Sequence, residues 1–454
     1  MVGYRHTPLL SFVRVWRTVA PLRPFKRLRF FPSLHSNQPL MSFRLTILLF
    51  LTCAGSAWAD GDSITLDSVG DRVRRHNPQL AAARLRIEEA RGRLDNAGRL
   101  SNPSVGLDSR NETFLSPGQV LVSIDQSFPI TSRLRLEKQL TGQLVTAAEL
   151  EVRDAERRLI SDAQTLAVQI LANKEQRSLR QQQTELATKL SEFVQGRAKA
   201  GELSALDAAQ AQVDAQRLIV EARKLEGESR SLLGNLKPML NLDPDDSLSI
   251  SGALPEMGVP GKGANWVMRA DYQLAEAKRT ASQTDIGLAK ANQWQDVSAG
   301  IFAGPEYQNP SGVDRRTNGV IGFRFSLPLP FWNKNQGQIA EKTATGERVR
   351  LEQAALAKQI RSEVENARQE MQTNYELAHE TRDKLLPLVI EQTGKLEKAY
   401  ESGQTDLLTF FRAREQRLEL EAAALNAVRD FHLARIRYEA AIGQHARAVP
   451  VTSK

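Results

Sequence analysis

FSLPLPFWNKNQGQ (Phe325–Gln338) changes character three times within a few residues. Ile321, Phe323, Phe325 and Leu327 alternate with Gly322, Arg324 and Ser326, the period of a strand with one apolar face. Pro328 and Pro330 carry no N–H for a sheet ladder, so pairing is expected to end there. Phe331 and Trp332 then stand where an interfacial aromatic anchor belongs. Asn333 or Asn335 is placed to cap the long helical pattern that follows. Pro129, directly after Phe128, marks the same boundary earlier in the chain.

Three further alternating runs match this one. Val105 and Leu107 alternate with Gly106 and Asp108; Val120, Val122, Ile124 and Phe128 alternate with Ser123, Asp125 and Ser127. Val297, Ala299, Ile301 and Ala303 form the third. Runs of about ten residues, apolar on one side and polar on the other, suit outer-membrane strands. Asp125 and Arg324 fall on the polar side and are candidate pore-lining residues. Four strands cannot close a barrel in lipid, so association is expected; two, three or four copies would give eight, twelve or sixteen strands.

Long proline-free tracts separate these hairpins. None occurs between Pro129 and Pro238, and only Pro387 lies between Pro330 and Pro450. Val152, Ala155, Leu159, Ala163, Leu166 and Ile170 recur at steps of three and four, as do Leu356, Ile360, Val364, Ala367, Met371, Tyr375 and Ala378. This is coiled-coil patterning on charged helices, and about 65 unbroken residues would span ~100 Å. Each tract turns once, at Gly201 and at Gly403, with Leu206 matching Leu408. The landmarks repeat at an offset near 200 residues, which reads as an internal duplication.

The formal charge of +8 is concentrated at one end. Residues 1–40 hold seven basic residues and no acid, and Arg44 supplies the remainder. The rest is neutral, which removes the electrostatic case for nucleic acid. MSFRLTILLFLTCAGSAWAD, from Met41, has a basic start, an apolar run and an Ala57-Trp58-Ala59 cleavage signal. Cys53 is the only cysteine; Thr52 and Phe50 fit a lipidation signal poorly, so lipidation there is the weaker reading. The expected division is 1–40, a non-native upstream extension; 41–59, signal peptide; 60–240, first repeat with strands near 103–110 and 119–128; 241–265, linker; 266–443, second repeat with strands near 296–304 and 317–327; and 444–454, tail. No histidine pair, methionine cluster, phosphate loop or nucleophile motif calls for a cofactor, a metal site or catalysis.

Export, duplicated hairpins and rod-length helices together resemble the TolC family of outer-membrane efflux factors over about residues 64–443. Within the family, LPLPFWNKNQGQI resembles the heavy-metal (cobalt–zinc–cadmium) branch, and the run from Pro387 through the Tyr-x-x-Gly turn at Tyr400 to Gly443 resembles the family's last helix pair. The resemblance implies a mainly α fold with a small β part: a homotrimer whose helical barrel continues into a twelve-stranded outer-membrane β-barrel, with a long periplasmic extension. It implies a passive conduit for metal cations or other small toxic solutes, with no enzymatic activity. Its partners would be a periplasmic adaptor protein, an inner-membrane pump of the RND type and outer-membrane lipid. Adaptor contacts would fall at Gly201, Leu203, Ser204, Leu206 and Asp207, and at Gly403, Thr405, Asp406, Leu407 and Leu408. The family's acidic closing residues in the second repeat correspond to Thr409 and Arg412, with Asp207 and Gln210 in the first; the acidic pair is thus missing from the second. Arg412 is expected to pair with an acid on a neighbouring helix. Membrane-boundary residues would be Pro129, Pro328, Pro330, Phe331 and Trp332. A periplasmic coiled-coil scaffold without a channel, or a drug or secretion conduit of the same family, are the alternatives.

Overall fold

The computed structural model describes residues 62–113, 116–258, 265–308 and 316–444. The expected upstream extension, the expected signal peptide with Cys53, and the residues after 444 lie outside the described residues. The elements are β1 (Asp62–Thr65), α1 (Leu66–His76), α2 (Pro78–Asn96), β2 (Ser104–Thr113), β3 (Ser116–Phe128), α3 (Arg133–Lys199), α4 (Ala205–Leu236), β4 (Leu248–Ser251), α5 (Ala270–Ala291), β5 (Val297–Gln308), β6 (Arg316–Ser326), α6 (Gln336–His379), α7 (Leu386–Glu401) and α8 (Leu407–Ile442). A π turn, Glu380–Leu385, joins α6 to α7, so helical structure runs without a break from Gln336 to Glu401. Pro387 cannot donate to the preceding turn, and the wider turn just before it absorbs the missing bond.

Helix α3 is 67 residues long, on the order of 100 Å. It is the central post: α2, α4, α5 and α8 all pack against it, as does α1. This is why its buried positions run round the helix, taking in Val152, Glu156, Ile160, Ala163, Ala167, Val168, Leu171 and Asn173. By contrast α6 buries one stripe, Gln353, Ile360, Ala367, Met371 and Ala378; the last three pack against α8, and Gln353 is met by Arg279 of α5. One apolar cluster gathers Ile64, Val69, Val73, Ile160, Leu171, Leu236 and Leu240; a second gathers Met371, Val428, Phe431, Tyr438 and Ile442. Val168, Leu433 and Ile436 form a third cluster at the α3–α8 contact.

Where those clusters meet, two buried arginines grip the last turn of α8. Arg157 Nη1 donates to the Ala440 carbonyl at 3.0 Å, and Arg269 Nη1 to the Ala441 carbonyl at 3.0 Å. Last-turn carbonyls lack the usual partner four residues on, although the Ala440 carbonyl also accepts from the Gly443 N–H at 3.2 Å, and the helix dipole favours positive charge there. Asp154 balances Arg157 at 2.8 Å; Asp271 at 2.7 Å and Glu363 at 3.0 Å balance Arg269. Burial alone would raise the Asp271 carboxyl; hydrogen bonding and attraction from Arg269, then attraction from Arg157, outweigh it and hold it below its usual range.

Sheet order corrects the expected fold class. Strands β2-β3-β5-β6 form one antiparallel four-stranded sheet, and β1 pairs with β4 in a separate parallel sheet. Among the described residues, β2 and β6 carry free edges, so the chain contains neither a closed twelve-stranded barrel nor a trimer. Closure would need β2 paired with β6; among the described residues a side-chain ion pair crosses between them but no strand pairing does. The strands also extend further toward their loops than their alternation indicates: β2 and β3 through register irregularities, β5 in regular register with β6. The β1–β4 pair places a strand inside the expected linker.

Burial of His432 yields a pH prediction. Its ring nitrogen Nε2 lies 2.9 Å from the Pro255 carbonyl, and burial, reinforced by Arg435, pushes its pKa down from 6.5 to about 4. The unfolded chain therefore takes up a proton that the folded chain refuses. Stability is complete above pH 6.5 and should fall as the pH drops toward 4, by about 3 kcal/mol in all. His432→Gln should flatten this slope in urea titrations followed by circular dichroism. Arg269→Met should cost about 3 kcal/mol in the same titration, because it removes the cation that partly buried Asp271 depends on.

Candidate functional site

Two regions stand out: the two faces of the four-stranded sheet, and the paired turns at Gly201 and Gly403. Val105, Ile124, Ile301 and Phe323 lie side by side across all four strands, with Leu107, Val122, Ala303 and Ile321 in the next row. The large side chains of this face are exposed, Phe323 at 86% and Ile321 at 80%. An apolar area of this extent is far beyond the scattered exposure of an ordinary surface. At its helix-side margin β3 ends at Phe128 before Pro129, and β6 ends at Ser326 before Pro328 and Pro330. Phe331 and Trp332 meet edge to face at 6.2 Å, and Trp332 is 91% exposed.

Neither asparagine caps α6 as expected. Asn335 adopts the left-handed conformation with φ 57° and gives its side-chain amide to the Ala289 carbonyl at 2.8 Å. Asn333 Oδ1 accepts instead from the Asn335 N–H at 3.0 Å. The pair closes a turn and ties the start of α6 to the end of α5, so the tie replaces the cap.

The opposite face is polar and curved. Ser104, Asp125, Gly300 and Arg324 form one row, with Gly106, Ser123, Phe302 and Gly322 beside it. Arg324 reaches Asp125 at 3.7 Å across Gly300, and Asp108 on β2 at 3.4 Å. In a flat sheet three strand spacings and four residues of offset would separate Arg324 from Asp108 by roughly 19 Å between Cα atoms. Contact therefore requires the polar face to be concave. The glycines permit it: a Cβ at Gly300 would sit 2.1 Å from Asp125 Oδ1, and one at Gly322 would sit 2.4 Å from the Phe302 ring. Arg324 also lies over that ring, 5.8 Å from its centroid. Asp125 and Arg324, expected separately on the polar side, thus come together on one face, and Asp108 and Phe302 join them.

The two helix turns are built alike. Gly201 (φ 76°) donates to the Ala198 carbonyl, and Glu202 to Arg197; Gly403 (φ 73°) donates to Tyr400, and Gln404 to Ala399. Each is a Schellman ending, which needs a left-handed residue after the helix. Ser204 then caps α4 through the Leu206 N–H, and Asp406 caps α8 through the Thr409 N–H. The hydrogen bonds from the Thr409 backbone and hydroxyl hold Asp406 below the usual carboxylate range.

A groove between the turns is lined by Arg197, Glu202, Leu203, Tyr400, Asp406 and Leu408, with Thr405 and Leu407 beside them. Arg197 and Glu202 are ion-paired on its wall. Leu206, at 77% exposure, stands outside the groove with Asp207, Gly201, Ser204 and Gly403. Tyr400, which stacks on Phe410 at 5.5 Å, joins the groove from outside the expected set; the Tyr-x-x-Gly spacing was its available signal. Thr409 is occupied by its bonds to Asp406, and Gln210 donates to Asp214 at 3.2 Å. Among the described residues no acid of this chain forms an ion pair with exposed Arg412. No group of three histidine, cysteine or acidic side chains is gathered to hold a metal ion among those residues, and no described helix is long and apolar enough to cross a membrane.

No protein-family model matches the chain, and no curated protein matches it. Solved structures do. The Campylobacter jejuni CmeC outer membrane channel superposes with a TM-score of 0.67 at 16% identity, covering 86% of this chain and 88% of that one. The Vibrio cholerae outer membrane protein VceC gives 0.66 at 19% identity, covering 83% and 96%. CusC, described through its transmembrane channel formation, gives 0.66 at 14%, covering 84% and 92%. The chain therefore has the fold of these outer-membrane channels, and no one branch stands out among them.

Because nothing lies within 4 Å of a Cβ built at Gly403, only its backbone angle constrains it. Gly403→Ala should then cost about 1 kcal/mol. Gly394→Ala, in the middle of α7 and equally unobstructed, should be neutral or stabilising by about 0.5 kcal/mol. Thermal melts of the two variants check the contrast.

Proposed function

We propose that this chain is the outer-membrane channel component of a tripartite efflux system, a passive conduit from a periplasmic adaptor and an inner-membrane pump to the exterior. One observation carries the reading: a curved sheet, exposed and apolar on its convex face and polar on its concave face, joined directly to helical runs of more than sixty residues. The convex face suits lipid and the concave face suits water. Unpaired strand edges cannot face hydrocarbon, so β2 and β6 pair with other copies of the chain. Phe331 and Trp332, with the prolines Pro129, Pro328 and Pro330, mark where membrane gives way to periplasm.

At the far end, the groove between the turns receives the adaptor. Leu203 and Leu408 line it and Leu206 stands exposed nearby; apolar side chains next to a rigid turn are anchors that a partner can cover. Arg412 contributes to closing that end through an acid supplied from outside this chain. The cargo is metal cations or other small toxic solutes, a reading supported by the Pro-Leu-Pro-Phe-Trp boundary and the polar row at Asp125 and Arg324. The pump sets most of the selectivity, so absence of a metal cluster among the described residues does not weigh against it.

Fractionation should recover the chain in the outer membrane and native mass measurement should find it self-associated; a soluble periplasmic monomer would overturn the reading. Leu203→Asp with Leu206→Asp should abolish tolerance to exported compounds while outer-membrane levels stay unchanged. Challenge of a deletion strain with zinc, cobalt, cadmium and organic drugs separates the cargo classes. In planar bilayers Arg412→Ala should raise the conductance of the closed state; an unchanged value removes Arg412 from the closing mechanism.

A further inference from the structure

Above the turns, a small cavity of about 70 Å³ opens to solvent between α4 and α8 over α3. Leu186, Leu190, Leu218, Phe411 and Leu418 give it an apolar lining. Three carboxylates also face it, Asp214 from α4 with Glu415 and Glu419 from α8. Arg180 and Arg217 stand at the same site, but both are engaged by Glu221, at 3.0 and 3.7 Å. Among the described residues none of the three carboxylates forms an ion pair within the chain, so the cavity is electronegative. Burial first, then repulsion from Glu419 and Asp214, holds Glu415 above the usual carboxylate range, against weaker attraction from Arg217 and Arg412.

A second observation is independent of charge. Gln183 of α3 lines the cavity, is only 5% exposed, and its Oε1 has no hydrogen-bond partner. A buried acceptor left unpaired costs roughly 1–3 kcal/mol, and such atoms are scarce in native proteins. The carboxylates are too dispersed for a metal ion. What fits an apolar wall, surplus negative charge and an idle acceptor is a positive group carrying N–H donors on an apolar body.

We propose that this cavity binds an organic ammonium ion, its charge set against Asp214, Glu415 and Glu419, its N–H directed at Gln183, and its apolar part against Leu190 and Phe411. The site stands whether or not the chain conducts, since it lies entirely within one copy.

Calorimetric titration of the purified full chain in detergent with benzylamine, near neutral pH, tests it. Saturable binding of one benzylammonium per chain is expected, with Glu415→Gln weakening it about tenfold, the scale of 1.4 kcal/mol. Benzyl alcohol, of similar shape but uncharged, should bind at least about tenfold more weakly, as should benzyltrimethylammonium, which has no N–H. Gln183→Leu should weaken benzylamine binding yet raise the melting temperature of the free protein, because it removes the unpaired acceptor. A variant that had merely misfolded would lose both. Benzyl alcohol binding as tightly as benzylamine, an unchanged affinity in Glu415→Gln, or no saturable heat would overturn the proposal.

Discussion

The last turn of α8 is the point on which the rest of the structure depends. Arg157, from the first half of the chain, and Arg269, from the second, both end on its carbonyls. Each arginine is buried, and each is tolerable only because acids and carbonyls surround it. Remove that convergence and the central post α3 loses its fixed relation to α5, α6 and α8. The apolar clusters on either side are individually modest and rich in alanine. A polar lock with defined directions supplies a registration that alanine-lined helices, able to slide, do not provide for themselves.

From that anchor the chain runs out in opposite directions to two different kinds of end. In one direction the period changes from helical to alternating, and the proline pairs fix where it changes. There the backbone satisfies itself sideways, strand to strand, and leaves the two outermost edges free. In the other direction each helical run reverses through a left-handed glycine and a capped restart. These turns satisfy themselves locally, so they keep their form while their leucines remain uncovered. The unmet demands of the two ends therefore differ in kind: backbone hydrogen bonds at the sheet, apolar side chains at the turns.

Much of this was legible. Proline-free tracts with apolar steps of three and four announced α3 and the Gln336–Glu401 run, since a helix that long has few alternatives. Alternation announced the hairpins, and proline their helix-side ends. The other ends of β2 and β3 were less visible because bulged pairing carries no period. Strands β1 and β4, four residues each, are too short to show an alternation and pair across nearly the whole first half. Asn335 looked like a cap because its type and position suited one; only the structure shows α5 close enough to claim its side chain. The ammonium site was hidden for a different reason. Gln183, Asp214 and Glu415 are far apart in sequence, and each looks like part of a solvated helix face. The closed barrel was an inference from resemblance, and a single chain with two free edges does not contain it.

The concavity of the sheet has a material consequence. Arg324 and Asp108 are roughly half exposed, so salt and water loosen their attraction. The bend does not rest on them. It rests on Gly300 and Gly322, where a missing methyl group lets Asp125 and Phe302 lie down over the backbone instead of standing apart from it. The sheet's radius is written in subtraction: two hydrogen atoms where other residues carry carbon set how tightly it can curl, and hence how wide a space it can enclose.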